Sequence, residues 1–220
     1  MKRLLIILQT IILLGFLTGC EKKLSTEGLS RITYYITFQL TGGDLYLNPK
    51  GTQYAEPGFK AAEGSDDVTD KVTVTGTVNS NQVGLYELTY SAVNADGFSS
   101  SITRTVIVYD PAAPSNDLSG EYYADVVRVA PARSFNDLNV TVTKLAPGVF
   151  RISDLLGGFY DQGANYQYGP AYALQGYLQL KADNTLAYIS SFCPGWGDSA
   201  NSFYNGIYDP ISGVISWTVQ

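Results

Sequence analysis

The sequence predicts an all-β protein built from two domains, and three observations carry that expectation. Beyond residue 31, apolar and β-branched residues alternate with polar ones at period two in many short stretches, the pattern of half-buried antiparallel strands. No stretch of the mature chain sustains an apolar stripe at i, i+3, i+4 and i+7 long enough for a substantial helix. The segment Asp110-Pro111-Ala112-Ala113-Pro114-Ser115-Asn116-Asp117 breaks the strands, leaving a plausible domain on either side. The expected division is a leader at 1–19, a tether at 20–30, a β-domain at 31–110, a linker at 111–117 and a second β-domain at 118–220.

The leader follows from its charge and length. Lys2 and Arg3 precede an apolar run from Leu4 to Phe16, interrupted only by Gln9 and Thr10. A bilayer span takes roughly 20 residues, so this run reads as a signal peptide. The Leu17-Thr18-Gly19-Cys20 ending resembles the bacterial lipobox, which implies cleavage before Cys20 and a diacylglycerol on its sulfur. Each buried methylene adds about 0.8 kcal/mol, and two or more chains anchor stably. No second stretch of spanning length follows, so the mature protein is expected to be tethered to a membrane at Cys20 without crossing it. The polar, aperiodic residues 21–30 read as its spacer.

Composition removes several classes of chemistry. The chain contains no His, which excludes the Ser-His-Asp triad, the Cys-His pair and His-ligated zinc. Fourteen Lys and Arg against twenty Asp and Glu give a net charge of −6, and removing the leader with Lys2 and Arg3 leaves −8. That balance argues against nucleic-acid binding, which needs a basic surface to displace counterions. With Cys20 acylated, Cys193 has neither a disulfide partner nor a His to activate it, and it reads as a small core residue.

In the first domain, Val72 and Val74, Leu85 to Tyr90, and Ile102 to Val108 alternate as strands. Tyr86, Leu88 and Tyr90 share one strand face, with Glu87 and Thr89 on the other. Asn48-Pro49-Lys50-Gly51 and Asn94-Ala95-Asp96-Gly97 read as turns, Gly97 supplying a positive φ. The acids Asp66, Asp67 and Asp70 lack a calcium-loop spacing and read as turn caps. The series Glu56-Pro57-Gly58, Asp67-Val68-Thr69, Gly84-Leu85-Tyr86-Glu87-Leu88-Thr89-Tyr90 and Thr103-Arg104-Thr105-Val106-Ile107-Val108 resembles the Ig-like domain of bacterial surface proteins. The resemblance implies a small β-sandwich.

In the second domain, Leu138 to Leu145, Gly148 to Asp154 and Gly176 to Leu180 read as strands, and Gly206 to Trp217 as a hairpin. Short strands with one apolar face predict an antiparallel meander, closed into a small barrel or folded as a curled sandwich. Trp217 and Tyr208 belong to its core. The motifs Gly120-Glu121-Tyr122, Gly148-Val149-Phe150-Arg151-Ile152-Ser153-Asp154, Trp196-Gly197-Asp198 and Asn205-Gly206-Ile207-Tyr208-Asp209 resemble the second domain of surface lipoproteins from gut Bacteroidetes. Many of those lie beside glycan-uptake systems. The resemblance implies an outer-membrane, cell-surface location and an uptake complex as partner. Surface-exported lipoproteins of that phylum usually carry several acids after the cysteine, whereas here Glu21 is followed by Lys22 and Lys23, which keeps the periplasmic face open.

Aromatic density marks the candidate site. Residues 111–220 hold ten Tyr, five Phe and two Trp. Tyr160, Tyr166 and Tyr168 sit among glycines, with Tyr172 and Tyr177 able to line the core instead. Trp196 lies in a Cys-Pro-Gly-Trp-Gly-Asp loop. Rings in loops beside carboxylates such as Asp161 and Asp198 suit a sugar, because a ring packs on the apolar pyranose face while polar groups bind its hydroxyls. A glycosidase needs two opposed carboxylates, yet residues 111–220 contain one Glu, Glu121, and eight Asp spread mainly over turns. The expectation is a non-enzymatic protein without metal or cofactor that binds a polysaccharide or oligosaccharide. A structural or protein-interaction lipoprotein is the alternative.

Overall fold

The structure, a computed structural model, describes residues 32–220; the leader, Cys20 and the tether lie outside the described residues. Strands β1 (Ile36–Leu40), β3 (Phe59–Glu63) and β4 (Asp66–Asp67) form one sheet in that order. A second sheet holds β2 (Leu45–Pro49), β7 (Ser99–Tyr109), β6 (Gly84–Val93) and β5 (Thr73–Thr75), with β2 parallel to β7. Leu88, Tyr90 and Val106 of the second sheet pack against Phe38, Leu40 and Phe59 of the first, closing the sandwich that the Ig-like resemblance implied. Gly97 adopts φ 88°, and the Asn94 side chain accepts the Asp96 and Phe98 N–H groups. Asn48 and Pro49 continue β2 rather than opening a turn, which starts at Lys50. Among the acids, Asp67 accepts the Thr69 N–H at 2.8 Å and so begins a short 3-10 turn, Thr69–Lys71.

A polar group at the centre of this sandwich ties its irregular segments together. Arg104 is fully buried, and its Nη2 donates to the Thr41 carbonyl at 2.9 Å and the Gly58 carbonyl at 3.1 Å. Its Nη1 stands 3.0 Å from Glu56 Oε1, as an ion pair rather than an aligned hydrogen bond, and Nε has no partner. The Tyr90 and Tyr54 hydroxyls donate to Glu56 Oε2 at 2.6 and 2.7 Å. A buried guanidinium is tolerated because most of what it meets is a carbonyl or a carboxylate.

The C-terminal half is a meander. Strands β8 (Gly120–Arg128), β9 (Arg133–Ala146), β10 (Val149–Ile152), β11 (Gln175–Leu180) and β12 (Leu186–Phe192) pair antiparallel in chain order. The hairpin of β13 (Phe203–Tyr208) and β14 (Ile215–Val219) forms a separate sheet. Phe203, Tyr208, Trp217 and Val219 of that hairpin pack on a core of Val140, Val142, Phe150, Ile152, Leu178 and Leu180. The result is two open layers. It is not the barrel that the sequence also allowed, because β8 pairs with β9 alone and keeps a free edge. Strand β12 is not identified from the sequence, nor are β2, β3 and β4 in the other half. Ile107, Ala146 and Val149 are buried with Val83, Leu85, Tyr109 and Ile189 around them, so the two halves share an apolar seam.

Burial alone would raise the Glu56 carboxyl, but the Tyr90 and Tyr54 hydroxyls, the Gly58 N–H and Arg104 together hold it below its ordinary 4.5. A carboxyl depressed in the folded state stabilises it above the unfolded pKa, and that contribution is lost as pH falls through the folded value. Denaturant midpoints should therefore fall as pH drops below 4.5, and Glu56→Gln should flatten part of that acid limb while lowering stability at pH 7.

Candidate functional site

Between β10 and β11 the chain leaves the sheet for more than twenty residues, and a single carboxylate organises the excursion. Asp154 is 2% exposed. Its Oδ1 accepts the N–H groups of Leu156 at 2.8 Å and Leu174 at 2.9 Å, and Oδ2 accepts that of Gly158 at 2.9 Å. One side chain thus joins the two ends of the excursion, where no strand ladder is present to satisfy those donors. Burial pushes the Asp154 carboxyl above its usual range, while the three N–H donors pull it back down. Leu155 and Leu174 plug the core beneath, and Trp217 Nε1 donates to the Leu155 carbonyl at 2.7 Å.

The excursion displays a continuous cluster of rings. Phe159 is buried at its base and lies 4.9 Å from Phe135 of β9 and 4.9 Å from Tyr160, centroid to centroid. Tyr160 meets Tyr166 at 5.0 Å and Trp196 at 4.8 Å, both edge to face. Tyr168 lies 5.5 Å from Tyr166 and 5.2 Å from Tyr172, and Tyr172 lies 5.3 Å from Trp196. Such offset contacts add roughly 0.5–1.5 kcal/mol each beyond burial, so the rings hold one another in place. Trp196 is 47% and Tyr168 49% exposed, while Tyr160, Tyr166 and Tyr172 are half-buried.

The Trp196 loop is short and closed on itself. Cys193 N–H donates to the Asp198 carbonyl at 2.7 Å, and Gly197 N–H to the Cys193 carbonyl at 2.8 Å. Gly195 N–H donates to the Ala171 carbonyl at 2.6 Å. A Cβ on Gly195 would stand 2.7 Å from the Tyr172 ring and 2.9 Å from that carbonyl, so only glycine lets the loop approach this closely. Cys193 is buried beneath it as a core residue.

The structure therefore gathers Tyr160, Tyr166, Tyr168 and Trp196, and adds Tyr172 to them. The two acids are engaged locally: Asp198 accepts the Ser199 N–H at 2.7 Å, and Asp161 accepts from Gln162 Nε2 at 3.4 Å. The sequence reading missed the contribution of the β8–β9 hairpin. Arg128 lies 5.0 Å from the Phe159 centroid and donates to the Tyr160 hydroxyl at 3.1 Å, and Arg133 lies 5.1 Å from the Tyr166 centroid. A pair of arginines flanking a Val-Ala-Pro-Ala turn in an acidic chain was the available signal.

Residues 38–108 match a family model described as the Ig-like domain of bacterial surface proteins, and residues 111–220 match a model for a C-terminal domain. The crystal structure of the lipoprotein BT2262 from Bacteroides thetaiotaomicron is 39% identical in sequence. That match covers 84% of this chain and 93% of the other, with a TM-score of 0.44. The structure of CBM51-2 in complex with GlcNAc and INT domains from Clostridium perfringens ZmpB shares 15% identity. It covers 54% of this chain and 29% of the other at a TM-score of 0.30, a likeness too slight to carry an argument. No curated protein matches the chain.

Two substitutions test how the site is held. Asp154→Asn leaves one acceptor where there were two and turns an amide toward a backbone donor, which should cost about 3 kcal/mol in chemical denaturation. Gly195→Ala should change global stability less, but it should shift the Trp196 fluorescence as the ring moves off Tyr172; an unchanged spectrum would contradict the close approach.

Proposed function

The chain belongs to the family of the Bacteroides thetaiotaomicron lipoprotein BT2262, and from that premise we propose that it is a membrane-anchored, non-enzymatic glycan-binding lipoprotein. Its anchor is the acylated Cys20, and its place is the outer membrane, facing the cell surface. The Ig-like domain holds the C-terminal β-domain away from the lipid, and that second domain reads a polysaccharide or oligosaccharide as an accessory to an uptake system.

The observation that supports this reading is the pair of exposed rings, Trp196 and Tyr168, carried on a cluster of half-buried tyrosines. An exposed ring is a normal surface feature when it stands alone. Here the rings are braced from beneath, so binding a flat apolar sugar face would require little ordering of side chains. Asp161, Asp198 and the tyrosine hydroxyls supply polar partners for sugar hydroxyl groups.

A protein-interaction role is the second reading, and a different surface favours it. Strand β8 is a sheet edge, and Tyr123 and Val127 stand exposed along it, a surface suited to strand addition by a partner.

Affinity electrophoresis of the full chain in detergent across neutral and acidic polysaccharides separates the two. Binding should appear for a subset of polymers, and Trp196→Ala should weaken it by at least about tenfold, or 1.4 kcal/mol. Retention unchanged in Trp196→Ala would remove the ring cluster as the site, and no retention on any polymer would favour the protein-interaction reading.

A further inference from the structure

Two arginines stand beside the ring cluster. Arg128 and Arg133 are direct partners across the β8–β9 hairpin, and like charges in that relation repel. Cation–π contact accounts for part of their stability: Arg128 lies 5.0 and 5.9 Å from the Phe159 and Tyr166 centroids, and Arg133 lies 5.1 Å from Tyr166. Carboxylates do not. Among the described residues the ion pairs are Arg104 with Glu56 and Lys144 with Asp117, so neither hairpin arginine has one. This holds in a chain of net charge −6, where acids to pair with are plentiful.

The two guanidinium groups also differ in how they are held. Arg128 spends its Nε on the Pro131 carbonyl at 3.0 Å and its Nη1 on the Tyr160 hydroxyl at 3.1 Å. Arg133 is exposed and lies over the Tyr166 ring, 5.1 Å from its centroid. A stacked, unpaired guanidinium beside an exposed ring platform is equipped to grip a planar or tetrahedral anion through paired N–H donors.

We infer that the site takes an acidic saccharide, whose carboxylate or sulfate group is held by Arg133 with Arg128 behind it while the sugar ring packs on Trp196 or Tyr168. The inference rests on the glycan-binding reading and adds an anion to it. The two sources of that anion share one chemistry, a negative substituent on a sugar ring.

The test uses the full chain in detergent with four probes: polygalacturonate for carboxylate, dextran sulfate for sulfate ester, dextran as the neutral polymer and polyvinyl sulfonate as an anion without sugar. Arg133→Gln, Arg133→Lys and Trp196→Ala are run beside the parent chain, with melting curves to confirm folding. Binding to one of the acidic polysaccharides should exceed dextran, weaken with added salt and fall about tenfold in Arg133→Gln, with Arg133→Lys intermediate and Trp196→Ala also weakened. If dextran binds as well as the acidic polymers and only Trp196→Ala weakens it, the acidic inference fails and the glycan reading stands. Equal binding of polyvinyl sulfonate reduces the arginines to a charge patch and overturns the inference. No binding of either acidic polysaccharide overturns the acidic inference, while the glycan reading is decided by the wider panel of neutral and acidic polymers.

Discussion

Asp154 carries a hydrogen-bonding carboxylate into a site almost closed to solvent, and it is tolerated there because three backbone N–H groups would otherwise be stranded. A chain that leaves a β-sheet for twenty residues and returns must satisfy its polar backbone without a ladder. Water can do so at the surface. Beneath the surface a side chain must, and Asp154 does it for both ends of the excursion at once. The segment that carries the rings from Phe159 to Tyr172 begins and ends on the same carboxylate.

The Ig-like half solves the same problem with opposite charge. Arg104 is held inside the sandwich by the carbonyls of Thr41 and Gly58, which lie outside the strands, and by Glu56. In both halves a buried polar side chain joins irregular backbone, while the strands themselves rely on apolar packing and ladder hydrogen bonds. Removing either group would leave several partners unsatisfied together, which is why single buried charges of this kind weigh more than their number suggests.

On this frame the rings form a surface whose order comes from mutual contact. Tyr160 touches Phe159, Tyr166 and Trp196, and its hydroxyl receives the Arg128 guanidinium. The hairpin β8–β9 extends its paired strands far enough to bring Arg128, Arg133 and Phe135 to the cluster. Three separate parts of the chain therefore meet: the hairpin, the excursion and the Trp196 loop. The apolar seam around Ile107 and Val149 joins this half to the sandwich, so the platform stands on a body larger than its own domain.

Much of this was legible in local sequence. Period-two alternation marked β6, β7, β9 and β11, and the Asp209 to Val214 turn marked the final hairpin, because strand burial and turn geometry are written in neighbouring residues. The loop chemistry around Trp196 and the tyrosines of 160–172 was visible for the same reason. Strand β12 escaped notice because Ser190 and Ser191 blur its alternation. Arg128, Arg133 and Phe135 could not be assigned to the site, since the contacts that place them span more than twenty residues of sequence. Asp154 reads in sequence as the last residue of the strand from Gly148; that it binds Leu174 depends on where the chain returns. The sequence by itself determined an all-β chain with a ring-rich loop region. Only the tertiary structure decided which rings stay exposed, which cations stand beside them and whether the meander closes, because those depend on pairings between distant segments that no local pattern encodes.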